Sequence, residues 1–131
     1  MIFVRPYAIE FILALSQISK IAIWTSSYGL YTTEILDNLI PKEVKLEFIW
    51  DRNKCDLSES KGVPSFTKNL DRLRRLSIEP CNYTIVDDKP ECIIPNTESV
   101  LGVKPYFGGK KDNHLKIILE KLKKRITKQL T

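Results

Sequence analysis

At 131 residues and 15.2 kDa, with 43% apolar and 28% charged residues, five Gly and seven Pro, the chain has the make-up of one compact folded domain, not of a disordered or fibrous segment. Cys55, Cys81 and Cys92 are odd in number and lack a C-x-x-C, which argues against a complete disulfide framework and a zinc knuckle and predicts reduced, mostly buried thiols in an intracellular protein. No charged leader with a long apolar stretch opens the chain and no apolar run approaches about 18 residues, so neither secretion nor a membrane span is expected.

A first helix is expected from about Pro6, a residue tolerated in a first turn because its missing N–H needs no intrahelical partner. Ala8, Phe11, Ile12, Leu15 and Ile18 follow at helical spacing, and Ser19-Lys20 ends it. Ile21-Ala22-Ile23-Trp24 reads as a short strand covered on both faces, stopping at the polar turn Thr25-Ser26-Ser27. A second helix covers about Leu30 to Leu39 and breaks before Pro41, and Leu46 to Trp50 is the next strand, ending in Asp51. Asp56 to Ser65, rich in Ser, Glu, Lys, Gly and Pro, is expected to be a loop, and about Thr67 to Ser77 a helix carrying Lys68, Leu70, Leu73 and Leu76. Tyr83 to Val86 is a third strand capped by Asp87-Asp88, Ser99 to Val103 a fourth, and the last helix runs from about Asn113 to Gln129.

The formal charge of +5 gathers at that last helix. Residues 104–131 carry nine Lys and Arg against two acidic residues, net +7, whereas residues 1–103 carry 12 against 14, net −2. Lys116, Lys121, Lys123, Lys124, Arg125 and Lys128 lie opposite Leu115, Ile118, Leu119, Leu122, Ile126 and Leu130, the pattern of an amphipathic helix with a solvated basic side. A nucleic acid or an acidic protein bound by the same cations is the alternative, although no aromatics are interleaved to stack on bases.

Apolar strands alternating with helical patterns argue for an α/β domain with a mainly parallel sheet and helices on both faces. In such sheets chemistry gathers at the carboxyl ends of strands, where this chain places Thr25-Ser26-Ser27 and Asp87-Asp88. Taken one at a time these residues have plainer uses: Thr25 as a turn residue with a satisfied hydroxyl, Lys68 as a surface residue of a first helical turn, Asp87 or Asp88 as a cap. The only histidine, His114, near a helix start, reads as a solvated or capping group, and Cys92 has no neighbouring base to make it a nucleophile.

An ordered set of segments runs along the chain. Arg5-Pro6 opens a helix containing Glu10-Phe11, and Ile-Trp-Thr-Ser-Ser follows at 23–27, then Phe-Ile-Trp-Asp at 48–51. Phe66-Thr67-Lys68-Asn69-Leu70, Val86-Asp87-Asp88-Lys89-Pro90-Glu91 and Gly102-Val103-Lys104-Pro105-Tyr106-Phe107 complete it. From Arg5 to about Leu122 the sequence resembles the phosphatase domain that acts on the C-terminal domain of RNA polymerase II, the NLI-interacting-factor-like domain of the haloacid dehalogenase superfamily. The resemblance implies a three-layer fold over residues 1–131, with 5–112 as core and 113–131 as the basic C-terminal helix. It also implies phosphoryl-oxygen contacts from Thr25, with Ser26 beside it, and a charge-neutralising role for Lys68. Asp87 matches the acidic residue that holds Mg²⁺, Asp88 occupies the neighbouring position, and Asp51, Trp50 and Phe107 align with family positions without assigned roles.

Relatives carry, ahead of the Arg-Pro helix, a central strand ending in Asp-x-Asp-x-Thr, whose first Asp attacks phosphorus and whose second is the general acid and base. No Asp-x-Asp occurs in these 131 residues. Without that carboxylate no aspartyl-phosphate route is available to the chain alone, and Mg²⁺ loses a principal ligand. The resemblance places the absent strand between those at 21–24 and 83–86, leaving edges to be filled by a strand from another chain, by Met1 to Val4, or by direct pairing. Two readings follow: a pseudophosphatase scaffold or assembly subunit, and a fragment or split half of a Mg²⁺-dependent phosphoserine/phosphothreonine protein phosphatase. The family's range leaves nucleus, cytoplasm and mitochondrion all open.

Overall fold

A computed structural model of the chain describes residues 5–60, 62–95, 97–109 and 111–130. The replacement strand considered at Met1 to Val4 lies outside them. The architecture is mixed α/β, and the described residues gather into two compact units.

The first unit comprises the described residues within 5–24, 29–49 and 106–130. Helix α1 (Ala8–Ser16) buries Ala8, Ile12 and Leu15, the face set by four- and three-residue spacing. It starts two residues later than Pro6 suggests, because Tyr7 stands in the left-handed region at φ 74°. Strand β1 (Ile21–Trp24) pairs with β2 (Leu46–Trp50), and α2 (Leu30–Leu39) connects them; all three elements have the bounds read from the sequence. Alternate residues of β2 are exposed and half-buried, and Ala22 of β1 is exposed, so these strands are less covered than a two-faced burial implies. Helix α4 (His114–Leu130) packs against α1 through its apolar side, with Leu115, Ile118 and Leu122 buried and Lys116, Lys121, Lys123, Lys124 and Lys128 exposed.

A polar clasp fixes where α1 and α4 begin. Arg5 reaches Asp112 with Nε at 3.3 Å and a terminal nitrogen at 3.1 Å, its guanidinium 5.8 Å from the Tyr106 ring centre. The same carboxylate accepts the His114 N–H at 3.0 Å and so caps α4. Lys116 then lies 4.2 Å over the ring of Tyr7. The His114 N–H bond first, and Arg5 second, hold the Asp112 carboxyl below its ordinary value of 3.8. A carboxyl depressed by folding adds stability above its unfolded pKa and loses it as pH falls through the folded one. Between neutral pH and pH 4 the native chain should therefore keep this contribution, and below pH 4 lose it. In a melting series on the acid side, Asp112→Asn should start below wild type at neutral pH and converge on it as the pH falls; parallel curves would show that the clasp does not couple to protonation.

The second unit comprises residues 25–28 and 50–105. The segment expected to be a loop is half of a β-hairpin: β3 (Asp56–Ser60) pairs antiparallel with β4 (Val63–Asn69), turning through Gly62 at φ 76°. Its polar composition hides the pairing because one face is laced by hydroxyls, Ser58 Oγ meeting Ser65 Oγ at 2.9 Å. The helix expected from Thr67 shrinks to α3 (Asp71–Arg74), since Thr67, Lys68 and Asn69 belong to β4 and Asn69 Oδ1 accepts the Asp71 N–H at 3.0 Å, starting the helix there. Ser77, at φ 62°, lies just past its end.

β5 (Ile85–Asp87) pairs parallel with β7 (Val100–Gly102), and β4 pairs parallel with the two-residue β6 (Ile93–Ile94). Where one mainly parallel sheet is expected, the described residues form three small sheets, in the orders β1-β2, β3-β4-β6 and β5-β7. Leu70, Leu73, Ile93 and Val103 are the buried core of this unit. The cysteines are less covered than expected: Cys81, in a turn, is exposed, Cys55 and Cys92 are half-buried, and no disulfide joins any of the three. Among the described residues no helix is long and apolar enough to cross a membrane.

Candidate functional site

Strand β4 is the middle strand of its sheet, paired with β3 along Val63 to Thr67 and with β6 at Lys68 and Asn69. Lys68 stands in register with Ile93, which is 2% exposed, and alternation along the strand puts its side chain on the same face as that of Phe66. Lys68 Nζ donates to Asp87 Oδ2 at 2.5 Å, and the two side chains are only 11% and 12% exposed. Asp87 ends β5. Its carbonyl accepts the Val103 N–H at 2.9 Å, and its second carboxylate oxygen accepts the Lys89 N–H at 2.8 Å in an Asx turn. Backbone ladders thus hold both ends of the ion pair.

The turn after β1 is built as closely. The Thr25 N–H donates to the Trp50 carbonyl at 2.8 Å, and Thr25 Oγ accepts the Ser27 N–H at 3.0 Å. Asp51 Oδ1 accepts the Asn53 N–H at 2.9 Å, opening the single 3₁₀ turn that carries Arg52. Arg52 donates its backbone N–H to the Ser27 carbonyl at 3.0 Å and its Nε to the Ser26 carbonyl at 2.8 Å. Its guanidinium lies 4.3 Å from the Phe66 ring centre and 5.9 Å from that of Tyr28. Cys55 Sγ approaches the Thr25 carbonyl at 3.9 Å. Arg52 is therefore a strut from the Thr25–Ser27 turn to β4, two residues from Lys68.

Of the predicted site residues, the structure joins Lys68 to Asp87 and places Thr25 and Ser26 on the turn that Arg52 holds. Asp88 is exposed. The Thr25 hydroxyl accepts within its own turn and the Asp87 carboxylate accepts within an Asx turn, while Lys68 is a half-buried strand residue and not a first-turn helix residue. Sequence reasoning missed Arg52. The signal for it was an Arg just past an aromatic strand end, with Phe66 and Tyr28 as the planar surfaces a guanidinium stacks on. Phe107, by contrast, is 93% exposed.

Magnesium takes oxygen ligands in near-octahedral geometry at about 2.0–2.1 Å and usually keeps several waters. At Asp87 one carboxylate oxygen accepts from the Lys68 ammonium group and the other from the Lys89 N–H. Among the described residues no three His, Cys, Asp or Glu side chains gather into a metal-holding group.

Residues 1–130 match the family model of the NLI interacting factor-like phosphatases, and the chain belongs to that family.

Proposed function

We propose that the chain is a non-catalytic, phosphatase-like scaffold or assembly subunit, a pseudophosphatase that keeps the family's lysine and acidic positions without hydrolysing phosphate esters on its own. The observation that carries this reading is that the 131 residues contain no Asp-x-Asp to supply an attacking carboxylate. Asp87 itself is held on both carboxylate oxygens, by Lys68 and by the Lys89 N–H. The test is phosphate release from a phosphoserine peptide by the pure chain with Mg²⁺. Release at the rate of buffer is expected; turnover that disappears in Asp87→Asn would overturn the proposal.

The partner this reading calls for is another protein chain. Among the described residues β1 has one strand neighbour, β2, and β5 has one, β7, which supports a strand arriving from elsewhere. The same feature favours the split-phosphatase alternative. There, adding a polypeptide with an Asp-x-Asp-x-Thr strand would start turnover, whereas a scaffold would bind it silently. Nucleic acid on the exposed lysines of α4 is a third reading, and it calls for affinity that falls steeply with salt.

A further inference from the structure

We infer that Ser77 is a phosphorylation site, the target of an arginine-directed serine kinase acting on the folded chain. The inference is independent of the scaffold reading and uses neither the Thr25 turn nor the Lys68–Asp87 pair. Arg74-Arg75-Leu76-Ser77-Ile78 sets two guanidinium groups three and two residues ahead of a hydroxyl, with an apolar side chain just after it. Kinases that choose substrates by charge hold such arginines in acidic pockets, and the spacing decides which hydroxyl then reaches the γ-phosphate of ATP. The sequence offers a second match, since Lys124-Arg125-Ile126-Thr127-Lys128 has cations at the same spacing. The structure separates the two. Thr127 Oγ donates to the Lys123 carbonyl at 2.9 Å inside the 17-residue α4, so presenting it to a kinase means unwinding a long helix, and a lysine, not an apolar residue, follows it.

Ser77 is presented differently. Arg74, Arg75, Leu76 and Ser77 are all exposed, and the Ser77 hydroxyl makes no hydrogen bond to a described residue. Helix α3 has only four residues, too few to carry cooperative helix stability of its own. It closes through the Ser77 N–H on the Arg74 carbonyl at 2.9 Å and the Ile78 N–H on the Leu73 carbonyl at 3.1 Å, an ending that needs left-handed backbone. Ser77 adopts it at φ 62°, where glycine or asparagine is favoured and serine is strained. Extending residues 74–78 in a kinase cleft relieves that strain and asks nothing of Leu73, the buried residue just before them. In the transfer, Ser77 Oγ attacks the γ-phosphorus of Mg²⁺-bound ATP. The new O–P bond forms as the bond from that phosphorus to the β,γ-bridging oxygen breaks, ADP leaves, and the hydroxyl proton passes to a carboxylate of the kinase. The product reverses the sign of this surface: residues 71–79 carry Arg72, Arg74 and Arg75 against Asp71 and Glu79, one net positive charge, and a phosphate of about −2 makes the segment negative.

The experiment treats the full chain with Mg²⁺, ATP and the catalytic subunit of cyclic-AMP-dependent protein kinase, an arginine-directed enzyme, and reads phosphate per chain by intact mass and its position by peptide mapping. One phosphate on Ser77 is expected. It should be absent from Ser77→Asn, which keeps the left-handed backbone without the hydroxyl, and unaffected in Thr127→Val. Arg74→Gln and Arg75→Gln should each lower kcat/KM for the kinase about tenfold or more, the loss expected when a charge-assisted hydrogen bond is removed. Ile118→Ala, which weakens the chain at α4, should leave the rate unchanged, because the kinase needs only local opening at α3. A wild-type chain that takes up no phosphate, phosphate that lands on Thr127, arginine variants modified as fast as wild type, or a rate that climbs as global stability falls would each overturn the inference. Peptide mapping of the wild-type chain decides the site even where a variant fails to fold.

Discussion

Ile118→Ala should lower the unfolding free energy by about 3–4 kcal/mol, which for a chain of this length is a fall in melting temperature of roughly 10 °C. Ile118 is 1% exposed on the side of α4 that also buries Leu115 and Leu122, and α4 packs against α1, which buries Ala8, Ile12 and Leu15. Deleting three carbons there removes the transfer energy of the side chain and leaves a cavity between two helices, which cannot fully close while the Arg5–Asp112 clasp holds their starts in place. The neighbouring Ile117 gives the internal control. It is 46% exposed, so Ile117→Ala should stay within about 0.5 kcal/mol of wild type. Urea titrations of the two variants check the pair, and equal losses would show that α4 does not use the face assigned to it.

The second large effect lies at the ion pair. Lys68→Met in metal-free buffer should cost about 3 kcal/mol, because it leaves the Asp87 carboxylate half-buried with one hydrogen bond in place of two. The Lys68→Met, Asp87→Asn double variant should recover more than half of that loss, since neither charge is then left alone. A double-mutant cycle by chemical denaturation measures the coupling directly. Additive losses would mean that Lys68 contributes through its methylene stem and not through its charge.

Where the chain announced its own fold, and where it did not, follows from which forces act locally. β1, α2 and β2 carry bounds that the sequence pattern already implied, because each is an apolar or periodic run stopped by polar or proline residues. The hairpin was hidden. Its polar face, Ser58, Ser65 and Thr67, is satisfied by hydroxyl contacts across the strands, and a loop composition was compatible with that until pairing became visible. Leu70, Leu73 and Leu76 suggested a long helix by their three-residue spacing, yet the β-branched Thr67 and the ladder to β6 keep the preceding residues extended.

The candidate site shows the same division. Lys68 and Asp87 were legible as an aligned pair of motif positions, but no local pattern tells that the two side chains meet, since that depends on β4 and β5 being brought together. Arg52 was invisible for a related reason: its importance lies in a carbonyl 26 residues earlier and a ring 14 residues later, contacts that no window of neighbouring residues contains. The turn at Thr25 was legible from the polar residues that stop β1, but not the way its hydroxyl accepts the Ser27 N–H.

The packing of α1 on α4 has a consequence for biosynthesis. Ala8, Ile12 and Leu15 leave the ribosome about a hundred residues ahead of the helix that covers them, so over that stretch of synthesis the greasy stripe has no native cover. The nascent polypeptide is for that interval a client for holdase chaperones, and any pause that delays the covering helix lengthens its exposure to self-association.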